Sequence, residues 1–263
     1  MDTLGKMSIY LEQAARAAQP LPMTDAEWQA RVQLAACYRI FDMLGWVEMI
    51  FNHITLRLPG QELRFLINPF GLHYREVKAS NLVLIDIDGN PLRTAEWPVN
   101  RAGFVIHSAI HAAVPKAHCV MHTHTTNGLA VACLKEGLSP HNFYGAMLHG
   151  RVAYHEFEGI TVEPGEKERL VRDLADKPAM ILRNHGLLAW GPSVPEAFLM
   201  MWTLQRACDV QIAASGAGEI HPIRPEVFDQ AVRESGTGEK RTCEDAFAAL
   251  QRRVDALDPS YRE

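Results

Sequence analysis

No purely apolar run in the chain approaches the roughly 20 residues that span a bilayer, which predicts a protein with no membrane partner. The opening stretch Met1-Asp2-Thr3-Leu4-Gly5-Lys6 lacks a basic segment followed by an apolar one, so no cleaved leader is expected and a cytoplasmic location is. Basic charge is also scarce. With 26 Lys and Arg against 31 Asp and Glu, interspersed, the net charge is −5, and no basic patch tracks a phosphate backbone, which argues against nucleic acid. Cysteines number five, widely spaced and without a Cys-x-x-Cys. They read as small buried hydrophobes of a reducing compartment, neither a disulfide frame nor a thiolate metal site. No internal repeat, low-complexity tract or Gly/Pro linker divides the 263 residues.

What is present centres on His118 to Thr125, His-Cys-Val-Met-His-Thr-His-Thr. Cys119, Val120 and Met121 form an apolar, strand-like run, and side chains two apart on a strand share a face. His122 and His124 therefore point one way, and two imidazoles on one face can hold a divalent ion at roughly 2.0–2.1 Å each. A third ligand is expected at His185, in Arg183-Asn184-His185-Gly186, which also follows an apolar run and precedes a glycine that permits close approach. The alternative is two polar residues at a strand end.

The rest of the chain reads as alternating elements. Thr24-Asp25-Ala26-Glu27 is a capping box for an amphipathic helix that Gly45 stops. Residues 1–23, with Pro20 and Pro22, are expected to form an N-terminal arm. Apolar runs at 54–58, 64–67 and 82–87, each closed by Pro, Gly or Asn, predict antiparallel hairpins. A helix is expected over 102–113, a second over 127–134 and a third over 166–174. Strands are expected at 151–155, 179–183 and 187–191. Ser193-Val194-Pro195-Glu196 is a second capping box, opening a long helix through Ile212. A main domain over 24–215 is thus followed by an extension, 216–263, packed on it, with an amphipathic piece over 243–257. His107 and His111, four apart on one helix, share a face. His111 is expected at the surface or an interface.

Five motifs taken together, Asn52-His53-Ile54-Thr55-x-Arg57, Ile67-Asn68-Pro69-Phe70-Gly71, Ala102-Gly103-Phe104-x-x-His107, His122-Thr-His124 and Asn184-His185-Gly186-Leu187, resemble the class II aldolase/adducin family in its adducin-like branch. The resemblance covers about residues 25 to 215. It implies a three-layer α/β/α domain around a largely antiparallel sheet, a metal on three histidines (zinc foremost, with iron or manganese as alternatives) and a homotetramer. By position, the ligands are again His122, His124 and His185.

Departures from the family pattern narrow the chemistry. The acidic residue that moves protons in the family's aldolases is Gly103 here, and the phosphate cradle is replaced by His53, Phe70-Gly71 and Arg101-Ala102. The proton-donating tyrosine of the fuculose-phosphate enzymes falls at Phe143, with Tyr144 beside it. An ion held by three neutral imidazoles keeps open positions for two substrate oxygens and can stabilise an enolate. His107, Tyr144, His149 or a metal-bound hydroxide would replace the acid, His107 first. Arg101 and His53 could meet a substrate carboxylate. Three functions are compatible: a metal-dependent lyase of a small hydroxy-carbonyl or keto-acid substrate, an iron(II) oxygenase of an aromatic 2-keto or 2-hydroxy acid fitted by Phe70, Tyr74 and Phe143, or a non-catalytic adducin-like module. The acidic residues Asp255, Asp258 and Glu263 near the end fit the last reading least.

Overall fold

The structure, a computed structural model, describes residues 22–60, 63–159 and 165–263. The side chains of Arg101 and Ala102 fall outside that description, as does nearly all of the N-terminal arm expected over 1–23.

Among the described residues seven strands form one sheet: β1 (Ile54–Arg57), β2 (Phe65–Ile67), β3 (Val83–Ile85), β4 (Cys119–Thr123), β5 (Val152–His155), β6 (Ala179–Leu182) and β7 (Gly186–Gly191), in the order β3-β2-β1-β4-β7-β6-β5. Every pairing is antiparallel except β5 with β6. The central strands β4 and β6 are buried at every position, which is why their sequences read as continuous apolar runs and not as alternation.

Helices cover both faces. On one lie α1 (Asp25–Met43), α3 (Thr126–Ala132), α6 (Val194–Ala217) and α8 (Lys240–Leu257), packed over Ile54, Leu56, Cys119, Met121 and Ala189 in the main core. On the other lie α2 (Arg101–Ala113) and α5 (Glu166–Leu174), over Val120, Met180, Leu182 and Leu188. Two short helices, α4 (Phe143–Met147) and α7 (Phe228–Glu234), pack on each other. This is an α/β/α architecture. From the segment after Ser215, Phe247, Val254 and Tyr261 enter the main core.

Local chemistry sets the helix starts. Thr24 Oγ1 accepts the Glu27 amide at 3.1 Å, but the Glu27 carboxylate does not close the box. It turns instead to Arg93 and to Arg31 Nε, the latter at 2.8 Å, while Arg31 Nη1 donates to the carbonyls of Ala79 and Leu82 at 3.1 and 2.6 Å. A buried ion pair whose guanidinium also bonds two backbone carbonyls fixes α1 against the segment entering β3. At α6, Ser193 Oγ accepts the Glu196 amide and donates to the Glu196 carboxylate at 2.7 Å, with Pro195 in the first turn.

Candidate metal and substrate site

Alternation along β4 and β1 decides which histidines meet. Val120 packs toward α2 and α5, so His122, two residues on, faces the same way; Met121 and Cys119 face the main core. On β1, Ile54 and Leu56 enter the main core, placing His53 and Thr55 on the α2 side with His122.

The β6–β7 hairpin brings the third ring. Its register pairs Leu182 with Gly186, and Asn184 takes a left-handed φ of 57°, which asparagine tolerates better than most residues. Gly186 is required by close approach. A Cβ there would lie 2.3 Å from the Thr123 carbonyl and 3.1 Å from His124 Cδ2. With that clearance, the rings of His122 and His185 stand 4.7 Å apart and those of His124 and His185 stand 4.9 Å apart. One nitrogen from each of the three lies within 4.8 Å of the others.

This donor set fits a divalent ion. His122 Nδ1 donates to the Leu187 carbonyl at 2.9 Å, because a carbonyl can only accept, and the neutral ring is left with a lone pair on Nε2. That lone pair lies 2.7 Å from His124 Nε2, a separation that calls for a proton or a cation between the two. Burial pushes all three rings toward the neutral, ligating form: His122 well below the usual histidine range, His124 below it and His185 to about 4.

A cavity of about 670 Å³ opens over the three rings. His53, His107 and Ile106 line one side, and Leu182, His155 and Glu166 another. Phe51, Phe70 and Phe157 also line it, with Glu48, Glu156 and Glu158. Phe51 and Phe157 are about half exposed.

His53 explains Gly103. A Cβ at position 103 would sit 2.7 Å from His53 Cε1 and 2.9 Å from its Nδ1, so the imidazole occupies the space in front of the glycine. Among the described residues neither His53 nitrogen has a hydrogen-bond partner, nor do the Asn52 amide and His107 Nε2. Burial lowers His53 to about 4, partly offset by the nearby backbone of Gly103 and Phe51, and lowers His107 well below its usual range.

Of the other expected site residues, Phe70 lines the cavity and Gly71 does not; Gly71 lies where a Cβ would touch the Trp97 ring at 3.2 Å. Tyr144 is outside the cavity, its ring edge-on to Trp202 at 5.5 Å and beneath the Arg206 guanidinium at 5.6 Å. Phe143 is exposed on the surface, and His149 stacks on Phe228 at 4.6 Å. Tyr74 belongs to the main core against Tyr38, not to a substrate pocket. The Arg101 side chain falls outside the described residues. His111, expected at the surface or an interface, is 1% exposed within the single chain: the shared helix face of His107 and His111 lies against Thr55 of β1, and both rings bond to its hydroxyl. Sequence reading quoted Asn52 and Thr55 only within a motif, placed His155 only on a strand, and gave no part to Phe51 or Phe157. His155 donates through Nδ1 to Asp173 at 2.8 Å, and only strand parity at 153–155 hinted at it.

Comparison with known proteins agrees with this architecture. Residues 32–212 match the family described as class II aldolase and adducin N-terminal domain, and the chain belongs to that family. It is 44% identical over 245 residues, 90% of this chain and 93% of the other, to a Pseudomonas aeruginosa protein that carries a provisional aldolase class 2 name. Rat alpha-adducin is 39% identical over 258 residues, covering 92% of this chain but 35% of the adducin. Among solved structures, an aldolase II superfamily protein from Pseudomonas syringae superposes with a TM-score of 0.89 at 42% identity, covering 92% and 98% of the two chains. An L-fuculose 1-phosphate aldolase from Glaciozyma antarctica superposes with a TM-score of 0.80 at 29% identity, covering 95% and 99%. No helix among the described residues is long and apolar enough to cross a membrane.

Proposed function

We propose that the protein is a metal-dependent carbon–carbon lyase that cleaves a small hydroxy-carbonyl compound lacking a phosphate, with zinc as the metal and a homotetramer in the cytoplasm as the working form. The observation that carries this is three converging imidazoles beneath a cavity whose neighbouring wall holds neutral His53 and His107 where the family's aldolases carry a carboxylate. Placement in the adducin-like branch belongs to the same proposal.

An ion bound by His122, His124 and His185 supplies Lewis-acid charge for the substrate carbonyl and the electron pair left by bond cleavage. His107 Nε2, a buried lone pair without a partner, accepts the proton of the substrate hydroxyl as the adjacent carbon–carbon bond breaks. The same atom returns the proton to carbon, so the cycle closes with no net change in the protein. His53 fills the space before Gly103 and keeps water from that wall.

The walls argue against a phosphate dianion. Among the described residues, the charged ones lining the cavity are Glu48, Glu156, Glu158, Glu166 and Arg183; Glu158 is paired with Arg169, and Arg183 donates to the Leu134 carbonyl at 2.7 Å and lies over the Tyr154 ring. An acidic, aromatic-edged mouth suits a neutral substrate.

The aromatic edge, Phe51, Phe70 and Phe157, favours one second reading, an iron(II) oxygenase of an aromatic acid, since an all-imidazole donor set suits iron as well as zinc. Elemental analysis and an activity screen separate the two. Zinc-loaded protein is expected to cleave hydroxy-ketones in preference to sugar phosphates, with His107→Phe abolishing cleavage while retaining metal. Oxygen uptake by the iron form alone would favour the oxygenase, and protein purified without metal and inert after loading would leave the adducin-like module.

A further inference from the structure

The second histidine pair carries information that the metal site does not. His111 Nδ1 lies 2.7 Å from the Ala117 carbonyl, and a carbonyl only accepts, so Nδ1 carries the hydrogen. The ring is 1% exposed and has no carboxylate among its hydrogen-bond partners, so it is neutral and its Nε2 is an acceptor. Thr55 Oγ1 lies 2.8 Å from that Nε2. The hydroxyl has one hydrogen and spends it there. Thr55 Oγ1 is also 2.8 Å from His107 Nδ1, and having no second hydrogen, it can only accept. His107 Nδ1 is therefore protonated. In a neutral, fully buried ring this leaves Nε2 bare, and it has no partner of its own.

We propose that the chain Ala117 carbonyl, His111, Thr55 and His107 fixes His107 in a single tautomer, so that the cavity wall presents an obligate hydrogen-bond acceptor which selects substrates bearing a free hydroxyl. Thr55 and His111 are positioning residues in this scheme. They touch no substrate and act by holding the direction of two hydrogen bonds. The hydroxyl half of the inference rests on the lyase reading above; the tautomer half does not.

The surroundings support a ligand at this wall. The His53 ring, whose two nitrogens are also buried without a partner among the described residues, lies 4.1 Å from that of His107, and both line the cavity. Buried polar atoms left unpaired are costly, so two such rings beside a cavity mark where a hydroxyl and its hydrogen-bond partners belong. A keto or ether oxygen brought to His107 Nε2 would set lone pair against lone pair, and a site built to bond a hydroxyl rejects the analogue that lacks it.

Two experiments test the inference. Imidazole nitrogen NMR of the uniformly 15N-labelled, zinc-loaded full chain, with the His107 signal assigned by its absence from His107→Phe, is expected to show Nδ1 protonated and Nε2 bare. In Thr55→Val, a near-isosteric change, the signal moves toward the Nε2-protonated form. An Nε2-protonated or doubly protonated His107 in the wild type overturns the relay, as does a signal unmoved by Thr55→Val; if that variant fails to fold, the wild-type spectrum decides alone. The β-hydroxy ketone 4-hydroxy-2-butanone and its methyl ether 4-methoxy-2-butanone, which offer the same two oxygens but differ in the hydroxyl hydrogen, are then titrated into the same protein. The hydroxy ketone should bind about tenfold more tightly, the worth of one hydrogen bond to a buried acceptor, and the preference should vanish in Thr55→Val. Equal binding, or binding of neither, overturns the hydroxyl assignment while leaving the metal-dependent lyase reading to the activity screen.

Discussion

Two histidine trios lie side by side on one face of the sheet and do opposite things. His122, His124 and His185 turn nitrogens toward one another within 4.8 Å, and the closest pair, 2.7 Å apart, needs a shared proton or a cation between its two nitrogens. His53, His107 and His111 are buried too, yet two of them are strung on the Thr55 hydroxyl and one ends on a backbone carbonyl. The lesson is that residue type and burial do not distinguish a ligand from a structural or acid–base histidine; the direction of the hydrogen on the far nitrogen does. His122 spends its Nδ1 hydrogen on Leu187 and aims its free nitrogen at another imidazole. His107 spends its own on Thr55 and leaves its other nitrogen buried without a partner among the described residues, on a ring that lines the cavity.

The sharpest way to break the comparison is to remove one ring from each trio. His185→Ala is expected to lower metal content from one ion per chain to background, whereas His107→Phe keeps the ion; atomic emission on purified, dialysed protein checks both. Equal loss from the two variants would merge the trios into one site.

Next in size is acid stability. Burial lowers His111 to about 3 and His53 to about 4, against about 6.5 in an unfolded chain. The folded form binds these protons more weakly than the unfolded form. Their contribution is therefore complete above pH 6.5 and shrinks as pH falls toward the folded values, by about 1.4 kcal/mol per pH unit for each ring. Urea unfolding from pH 7 to 4 should show this decline, and His111→Gln should flatten it by one ring's share. A midpoint independent of pH over that range would contradict the burial of the second trio.

The smallest effect is steric. Gly103→Ala places a methyl against His53 and should cost about 1–3 kcal/mol through overpacking, less the roughly 1 kcal/mol that alanine gains over glycine in a helix. A thermal melt should fall by a few degrees. A rise would mean that the His53 ring yields freely.

Much of this was readable beforehand, for reasons tied to period and spacing. Parity along the strand suggested that 122 and 124 meet, and their rings stand 4.5 Å apart although His124 lies just past the end of β4; both capping serine/threonine residues lie where the apolar periodicity begins. The seven strands announce themselves by apolar runs between turn residues. What was not readable depends on contacts between distant segments. The i, i+4 spacing tells only that His111 shares a face with His107, which leaves the surface or an interface as the expectation; that the face meets Thr55 depends on how the helix packs over β1. Tyr74 and Phe70 are equally aromatic and four residues apart, yet a 3-10 turn after His73 sends Tyr74 into the core beside Tyr38 while Phe70 remains at the cavity. Phe51 and Phe157 sit in loops that carry no period, so no pattern marked them. Glu27 satisfies the sequence rule for a capping box but finds two arginines in space, and these win its carboxylate.

The most direct measurement is an anomalous-difference map from crystals of the protein soaked in zinc. One peak within bonding distance of His122, His124 and His185, with none beside His53, His107 or His111, is the predicted result. A peak at the second trio, or the absence of one at the first, would contradict the division of labour between them.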